Sequence, residues 1–274
     1  MLLPLMAEQL LITLMGMVNT FMVAHVGSYA ISAVSLVDSI NILVIQAFYA
    51  LSTGGTIVCA QYLGQKKTGH AIRSAEQTLF IVTLISLVTA AFCILFDRQI
   101  LRLIFGTVDE EVFNSARTYF FYSSLSYPFI ALYDAGSSIF RAQKNTGFPM
   151  AMSLIANIAN VIGNIILVLI LGQGVAGAAI STLAARALCA LLVLLRLVKP
   201  RENQPVYVAN YTRIRPHMPL IRRILHIGIP AGIENSMFQF GKLAIQSSVS
   251  TLGVTAMAAH AMASNFESFN GIAG

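Results

Sequence analysis

Charged residues are scarce in this chain. Only 10% of its 274 residues are Asp, Glu, Lys or Arg, whereas 57% are hydrophobic, and the mean hydropathy is +0.75. Soluble domains carry about 25% charged residues, so a chain of this length has too few charges to cover a water-facing surface. The scarcity excludes a soluble globular protein and indicates a membrane protein.

Cysteine and catalytic motifs are scarce as well. The three cysteines lie in apolar segments without disulfide or metal spacing, and the chain has no HExxH, GxSxG or P-loop motif. The five histidines fall near span ends or in loops, which argues against an intramembrane enzyme. We therefore predict no enzyme activity and no cofactor. Without a P-loop, any movement of solutes across the membrane would be driven by an ion gradient or run downhill.

Long apolar runs predict seven membrane-spanning helices and part of an eighth. The predicted spans are residues 2–24, 31–63, 75–96, 118–140, 150–171, 175–197, 227–252 and 255 to the end. The second span is long enough that we expect it to bend at Gly54 and Gly55 or to extend beyond the bilayer. The apolar start has no basic region of a cleavable signal, and we expect a few residues to precede it.

The basic residues are unevenly distributed, which explains the net charge of +6 and the pI near 9.4. Twelve of the 17 lysines and arginines fall in the loops after the second, fourth and sixth spans, counting Arg196 in the last turn of the sixth span, and three fall on the opposite side. This bias predicts that those loops and the N-terminus are cytoplasmic. Because the topology explains the basic pI, the positive charge does not indicate a nucleic-acid partner.

The chain repeats itself at an offset of 226 residues. Pro4 aligns with Pro230, Glu8 with Glu234 and Gly27 with Gly253, without a gap. Six crossings separate the copies, so both enter from the same side and form a parallel repeat. We predict an all-α membrane protein with a six-helix lobe at 1–198, a cytoplasmic linker at 199–222 and the start of a second lobe at 223–274. A full protein of this kind has twelve helices, so we expect the second lobe to be cut short.

Ionisable and polar side chains at bilayer depth mark candidate sites, because burying a charge there costs about 2.5–3.5 kcal/mol. Asp38 and Asp134 lie within the second and fourth spans, and either is a candidate proton-coupling carboxylate. Asn157, Asn160 and Asn164 share one face of the fifth span. Such amides either help to bind a small cation or hydrogen-bond neighbouring helices.

A second set of residues is a weaker candidate for the lining of a substrate cavity. It comprises Asn157, Arg186, Glu234 and Lys242. Arg186 lies one turn after Thr182 in the sixth span. Glu234 is close to the cytoplasmic end of its helix, where a structural role is the favoured alternative.

An ordered series of short motifs resembles the multidrug and toxic compound extrusion (MATE) transporters. The motifs are GMVNTFMVA at 16–24, AQYLG at 60–64, RAQKNTGFPM at 141–150, NVIGN at 160–164, GVAGAAI at 174–180 and GIPAG at 228–232. They run in order along the whole chain. The resemblance implies two six-helix lobes, efflux of organic compounds and antiport of Na⁺ or H⁺.

The resemblance also implies a cation site in the first lobe. Matched motif by motif, its residues are Asn19, Asn160, Asn164 and Thr182. Many family members have aspartate where this chain has Asn19, and asparagine cannot take up and release a proton. We therefore expect Asp38 or Asp134 to supply the coupling carboxylate.

The function predicted from these observations is a cation-coupled antiporter that exports drugs or toxic organic compounds by alternating access. The alternative is a flippase or exporter of lipid-linked sugars or of a dedicated metabolite from the same superfamily. Such a flippase needs several cavity cations, and only Arg186 and Lys242 are available in spans. We expect a monomer with multiple spans in a bacterial plasma (inner) membrane, with Na⁺ or H⁺ as its coupling ion and no other metal.

Overall fold

Helices make up the regular structure. The computed structural model describes residues 22–23, 28–105, 110–198, 204–209, 211 and 214–250, and no strand occurs among them. The helices are α1 (Ser28–Gly64), α2 (Thr68–Leu95), α3 (Asp97–Phe105), α4 (Glu110–Ala142), α5 (Gly147–Asn164), α6 (Gly174–Leu197) and α7 (Met218–Ser250). The all-α prediction is confirmed. The predicted spans 2–24 and 255 onward lie outside the described residues, apart from 22–23.

Four of these helices are long and apolar enough to cross a membrane. They correspond to Ala33–Gly64, Thr68–Leu95, Gly147–Ile170 and Gly174–Leu197. Helices α4 and α7 contain the predicted spans 118–140 and most of 227–252, and they are long but less apolar. For α4 the reason is its place in the fold, since it packs against α1, α2 and α6 and buries serine and tyrosine side chains. A membrane helix that its neighbours shield from lipid can carry polar side chains that hydrogen-bond to those neighbours.

Glycines allow the helices to approach closely where they cross. A Cβ at Gly54 of α1 would lie 2.6 Å from the Ile224 carbonyl oxygen and 2.8 Å from the Gly228 nitrogen of α7. A Cβ at Gly163 of α5 would overlap Ser181 Oγ on α6. Small residues at such crossings let backbones pack together, as is common in membrane helices. Helix α1 continues through Gly54 and Gly55, and both glycines serve this packing.

Helix α3 follows α2 directly and was not predicted, because nine residues are too few to span a bilayer. Its Leu101 is buried, whereas Leu103 is 87% exposed. Its first residue, Asp97, pairs with Arg117 of α4 at 2.5 Å. The short helix is therefore fixed to the end of α4 and presents an apolar side chain outward.

Candidate functional site

Among the described residues, two polar networks occupy the interior of the lobe, and the first joins α5 to α6. The Asn160 Nδ2 group donates to Thr182 Oγ1 at 3.1 Å and to Ser181 Oγ at 3.4 Å. The Asn164 Nδ2 group donates to Asn160 Oδ1 at 3.1 Å, and Ser181 Oγ donates to the Asn160 carbonyl at 2.7 Å. Both asparagines are fully buried. The structure thus brings three predicted residues, Asn160, Asn164 and Thr182, into one cluster.

This amide cluster is largely occupied by its own hydrogen bonds. Thr182 Oγ1 donates to the Ala178 carbonyl at 3.0 Å, and Asn160 Oδ1 already accepts from Asn164. These bonds hold the two helices together without using a formal charge, as the packing alternative requires. Ser181 was missed from the sequence, although its place beside Thr182 on α6 was a usable signal.

The chain changes helix type immediately after this cluster. A π-helical segment, Ile165–Ile170, continues from Asn164, and Gly172 and Gly174 then take φ values of +61° and +56°. Each residue added to a helical turn shifts the register of the side chains that follow, and π-segments are frequent at functional sites. No sequence signal predicted it.

The second network surrounds Asp38 of α1. Its Oδ1 accepts hydrogen bonds from Asn41 Nδ2 at 3.2 Å and from Tyr119 OH at 3.4 Å. The Asn41 amide in turn accepts from Tyr127 OH at 2.8 Å and donates to Ser123 Oγ at 3.3 Å. Asn41 and the two tyrosines are buried. Helices α1 and α4 therefore present hydrogen-bond donors to a carboxylate within the candidate membrane span of α1.

Arg186 of α6 supplies a positive charge near this carboxylate. Its Nη1 donates to Ser126 Oγ at 2.6 Å, and it lies close enough to attract the Asp38 carboxylate electrostatically. An opposite charge and two donors offset the loss of water around this half-buried carboxylate. Since Thr182 lies one turn earlier on α6, that helix contributes to both networks.

A cleft of about 240 Å³ opens beside Asp38. Its lining comprises Val23, Ile31, Val34, Ser35, Asp38, Ser39 and Ile42. Drug-sized ligands occupy pockets of roughly 300–1,000 Å³. The cleft suits an ion with its water molecules better than a whole organic substrate.

The remaining candidates lie apart from these networks or outside the described residues. Asp134 is half-buried on α4, fifteen residues beyond Tyr119, and a helical rise places it about 22 Å further along the axis. Asn157 is half-buried, and its Nδ2 donates to the Ser153 carbonyl of its own helix at 3.0 Å. Glu234 is exposed on α7. Asn19 and the Lys242 side chain lie outside the described residues.

The family model described as MatE matches residues 4–166 of this chain. The chain is 27% identical over 278 residues to the probable multidrug resistance protein NorM of Thermotoga maritima, covering 98% of this chain and 57% of the relative. It is 26% identical over 263 residues to the multidrug export protein MepA of Staphylococcus haemolyticus, covering 94% and 56%. The chain thus spans little more than half the length of these relatives.

Solved structures share the fold. The crystal structure of a MATE point mutant matches with a TM-score of 0.90 at 19% identity, over 99% of this chain and 60% of that one. An outward-facing MATE family transporter of the MOP superfamily matches with a TM-score of 0.83 at 19% identity, over 92% and 55%. At this level of identity the likeness shows the fold alone.

Proposed function

Because this chain belongs to the MatE family, we propose that it forms the ion-coupling lobe of an antiporter that exports small organic compounds. The family resemblance predicted from the ordered motifs is confirmed. The relatives are named a probable multidrug resistance protein and a multidrug export protein. The multidrug resistance and multidrug export in these names support a toxic organic compound as the cargo here.

The observation that carries the proposal is the environment of Asp38. A carboxylate at the wall of a cleft, held by donors from Asn41 and Tyr119, is a group that can bind and release a cation. The hydrogen bonds that link Asn160 to its neighbours run instead between amides, hydroxyls and a backbone carbonyl. We assign the coupling role to Asp38, in place of the residue that the resemblance puts at Asn19.

The proposed mechanism is alternating access. Binding of Na⁺ or H⁺ at Asp38 favours one orientation of the two lobes, and that orientation releases the exported compound outward. A bound ion can shift the equilibrium only by the difference between its affinities for the two orientations. Asp38 meets this condition if rearrangement of α1, α4 and α6 changes the number of donors around it. We place the protein in a bacterial inner membrane, as a monomer.

Ethidium efflux from cells that carry the gene encoding this chain tests the proposal, with the Na⁺ and pH gradients collapsed in turn. We expect efflux to stop when one gradient is removed. We expect Asp38→Asn to abolish gradient-driven efflux while Asp134→Asn retains it, because the two carboxylates lie in separate parts of the lobe. Thermal unfolding in detergent verifies that both variants fold.

Other results would contradict the coupling role of Asp38 or favour the alternative function. Full efflux by Asp38→Asn, or a loss confined to Asp134→Asn, contradicts the role of Asp38. Absence of efflux under any gradient would favour the alternative function, an exporter of lipid-linked sugars or of a dedicated metabolite.

A further inference from the structure

The segment between α6 and α7 is bound to the lobe at several described positions. Val206 and Val208 are 0% and 2% exposed, and both belong to the hydrophobic core formed with the lobe's helices. The Val208 amide donates to the Leu197 carbonyl at the end of α6 at 2.9 Å. A sequence with several prolines and polar residues predicts only a linker, and gives no indication of these contacts.

A glutamine at the end of α4 holds the first part of this segment. Gln143 Oε1 accepts from the Val206 amide at 3.0 Å, and Gln143 Nε2 donates to the Val206 carbonyl at 3.3 Å. One side-chain amide thus satisfies both backbone groups of a buried residue. Buried backbone groups need such partners, and a primary amide supplies a donor and an acceptor together.

A second glutamine, on α2, holds the last part in the same way. Gln77 Nε2 donates to the Arg215 carbonyl at 2.9 Å, and Gln77 Oε1 accepts from the His217 amide at 2.8 Å. Gln77 is 3% exposed, so its amide is positioned by the packing of the lobe. His217 directly precedes α7, and the contact therefore fixes the point at which that helix begins.

Two further contacts hold this part of the chain. One involves Tyr211, between the positions that the two glutamines bind, and the other involves Arg223 in α7. Tyr211 OH and Thr83 Oγ1 are 3.1 Å apart, and burial raises the pKa of Tyr211 to about 12, so that its hydroxyl stays protonated. In the first turns of α7, Arg223 donates to Gln61 Oε1 at 2.7 Å and to Tyr62 OH at 3.1 Å. Its guanidinium also lies 5.3 Å from the Tyr62 ring centroid.

We propose that the described residues between 204 and 217 act as a strap that fixes the start of α7 to the six-helix lobe, with Gln77 and Gln143 as its positioning residues. The strap and the first turns of α7 then move with the lobe as one body. Any rearrangement of the second half takes place beyond the strap. The inference concerns the family's two-lobed architecture, and only its consequence for export rests on the proposed function.

Hydrogen exchange measured by mass spectrometry on the purified full-length protein tests the strap directly. The variant is Gln77→Met with Gln143→Met, which keeps side-chain length and apolar packing but removes both amides. We expect exchange in peptides that cover the strap to accelerate at least about tenfold, since each lost hydrogen bond contributes measurably to protection. Exchange in α2 and α4 should stay unchanged, a result that general destabilisation would not produce.

Gln65→Met is the matched control, because Gln65 is exposed at the end of α1 and should leave the strap unaffected. Equal exchange in the double variant and the unmodified protein would overturn the proposal. So would exchange at Val206 and Val208 of the unmodified protein as fast as that of a free peptide.

Transport gives a second readout. We expect the double variant to bind ethidium normally but to export it more slowly, because the start of α7 is no longer held in place. Full export despite a released strap would overturn the positioning role. If the unmodified protein exports nothing, the proposed function fails, while the exchange result still decides whether the strap exists.

Discussion

Asn160 joins α5 to α6 through several hydrogen bonds. Its side chain both donates to α6 and accepts from Asn164, and it is completely buried. We predict that Asn160→Ala lowers the free energy of unfolding by about 1–3 kcal/mol, because buried polar partners are left unsatisfied. Thermal unfolding in detergent measures the effect.

Asn157→Ala is the matched control for this change. Asn157 lies one turn away on the same helix, is half-buried, and its Nδ2 donates to a carbonyl of that helix. We expect a clearly smaller loss of stability. Equal losses of unfolding free energy in the two variants would contradict the prediction that the hydrogen bonds of Asn160 stabilise the α5–α6 contact.

Residue spacing predicted one network and missed much of the other. Asn160 and Asn164 are four residues apart, so the sequence alone placed them on one face of α5. Tyr119, Ser123 and Tyr127 are also spaced by four. Serine and tyrosine are uncharged and frequent in this chain, so their spacing alone does not indicate a functional site. Their partnership with Asp38 depends on which face α4 turns towards α1, and that is decided by tertiary packing.

At the scale of elements, the crossing of α1 and α7 brings two backbones together at a glycine. We predict that Gly54→Ala destabilises the protein by about 1–3 kcal/mol, because the added methyl group meets backbone atoms that have no room to move aside. Gly69→Ala is the control, since no atom of the described residues lies within 4 Å of the corresponding Cβ and alanine favours helices. Thermal unfolding of both variants in detergent is the measurement, and a Gly54→Ala protein of unchanged stability would contradict this packing.

Hydropathy located the spanning helices but not the elements between them. The predicted spans 150–171 and 175–197 agree with α5, its π-helical continuation and α6, since long apolar runs leave few alternatives in a bilayer. Helix α3 and the strap were not predicted. The first is too short for a hydropathy signal, and the second is held by Gln77 and Gln143, which are distant from it in sequence.

At the scale of the whole molecule, the two networks and the strap are connected through one helix. Helix α6 contributes to both polar networks, and its C-terminal end accepts the hydrogen bond from Val208 of the strap. A change at Asp38 that shifts α6 therefore has a short mechanical path to the start of α7. On the proposed function, ion binding at Asp38 that moved α6 would also move the start of α7, beyond which the second lobe rearranges.

The topology predicted from the basic residues is open to a direct test. Gln65 follows α1 and Gln99 lies in α3, both are exposed, and the charge bias places them on opposite sides of the membrane. The three native cysteines are buried, so single cysteines can be introduced without replacing them. We predict that a membrane-impermeant maleimide labels Gln99→Cys in intact cells and labels Gln65→Cys only after the membrane is opened. The reverse pattern would invert the topology and place the strap, which lies on the same side as Gln65, outside the cell.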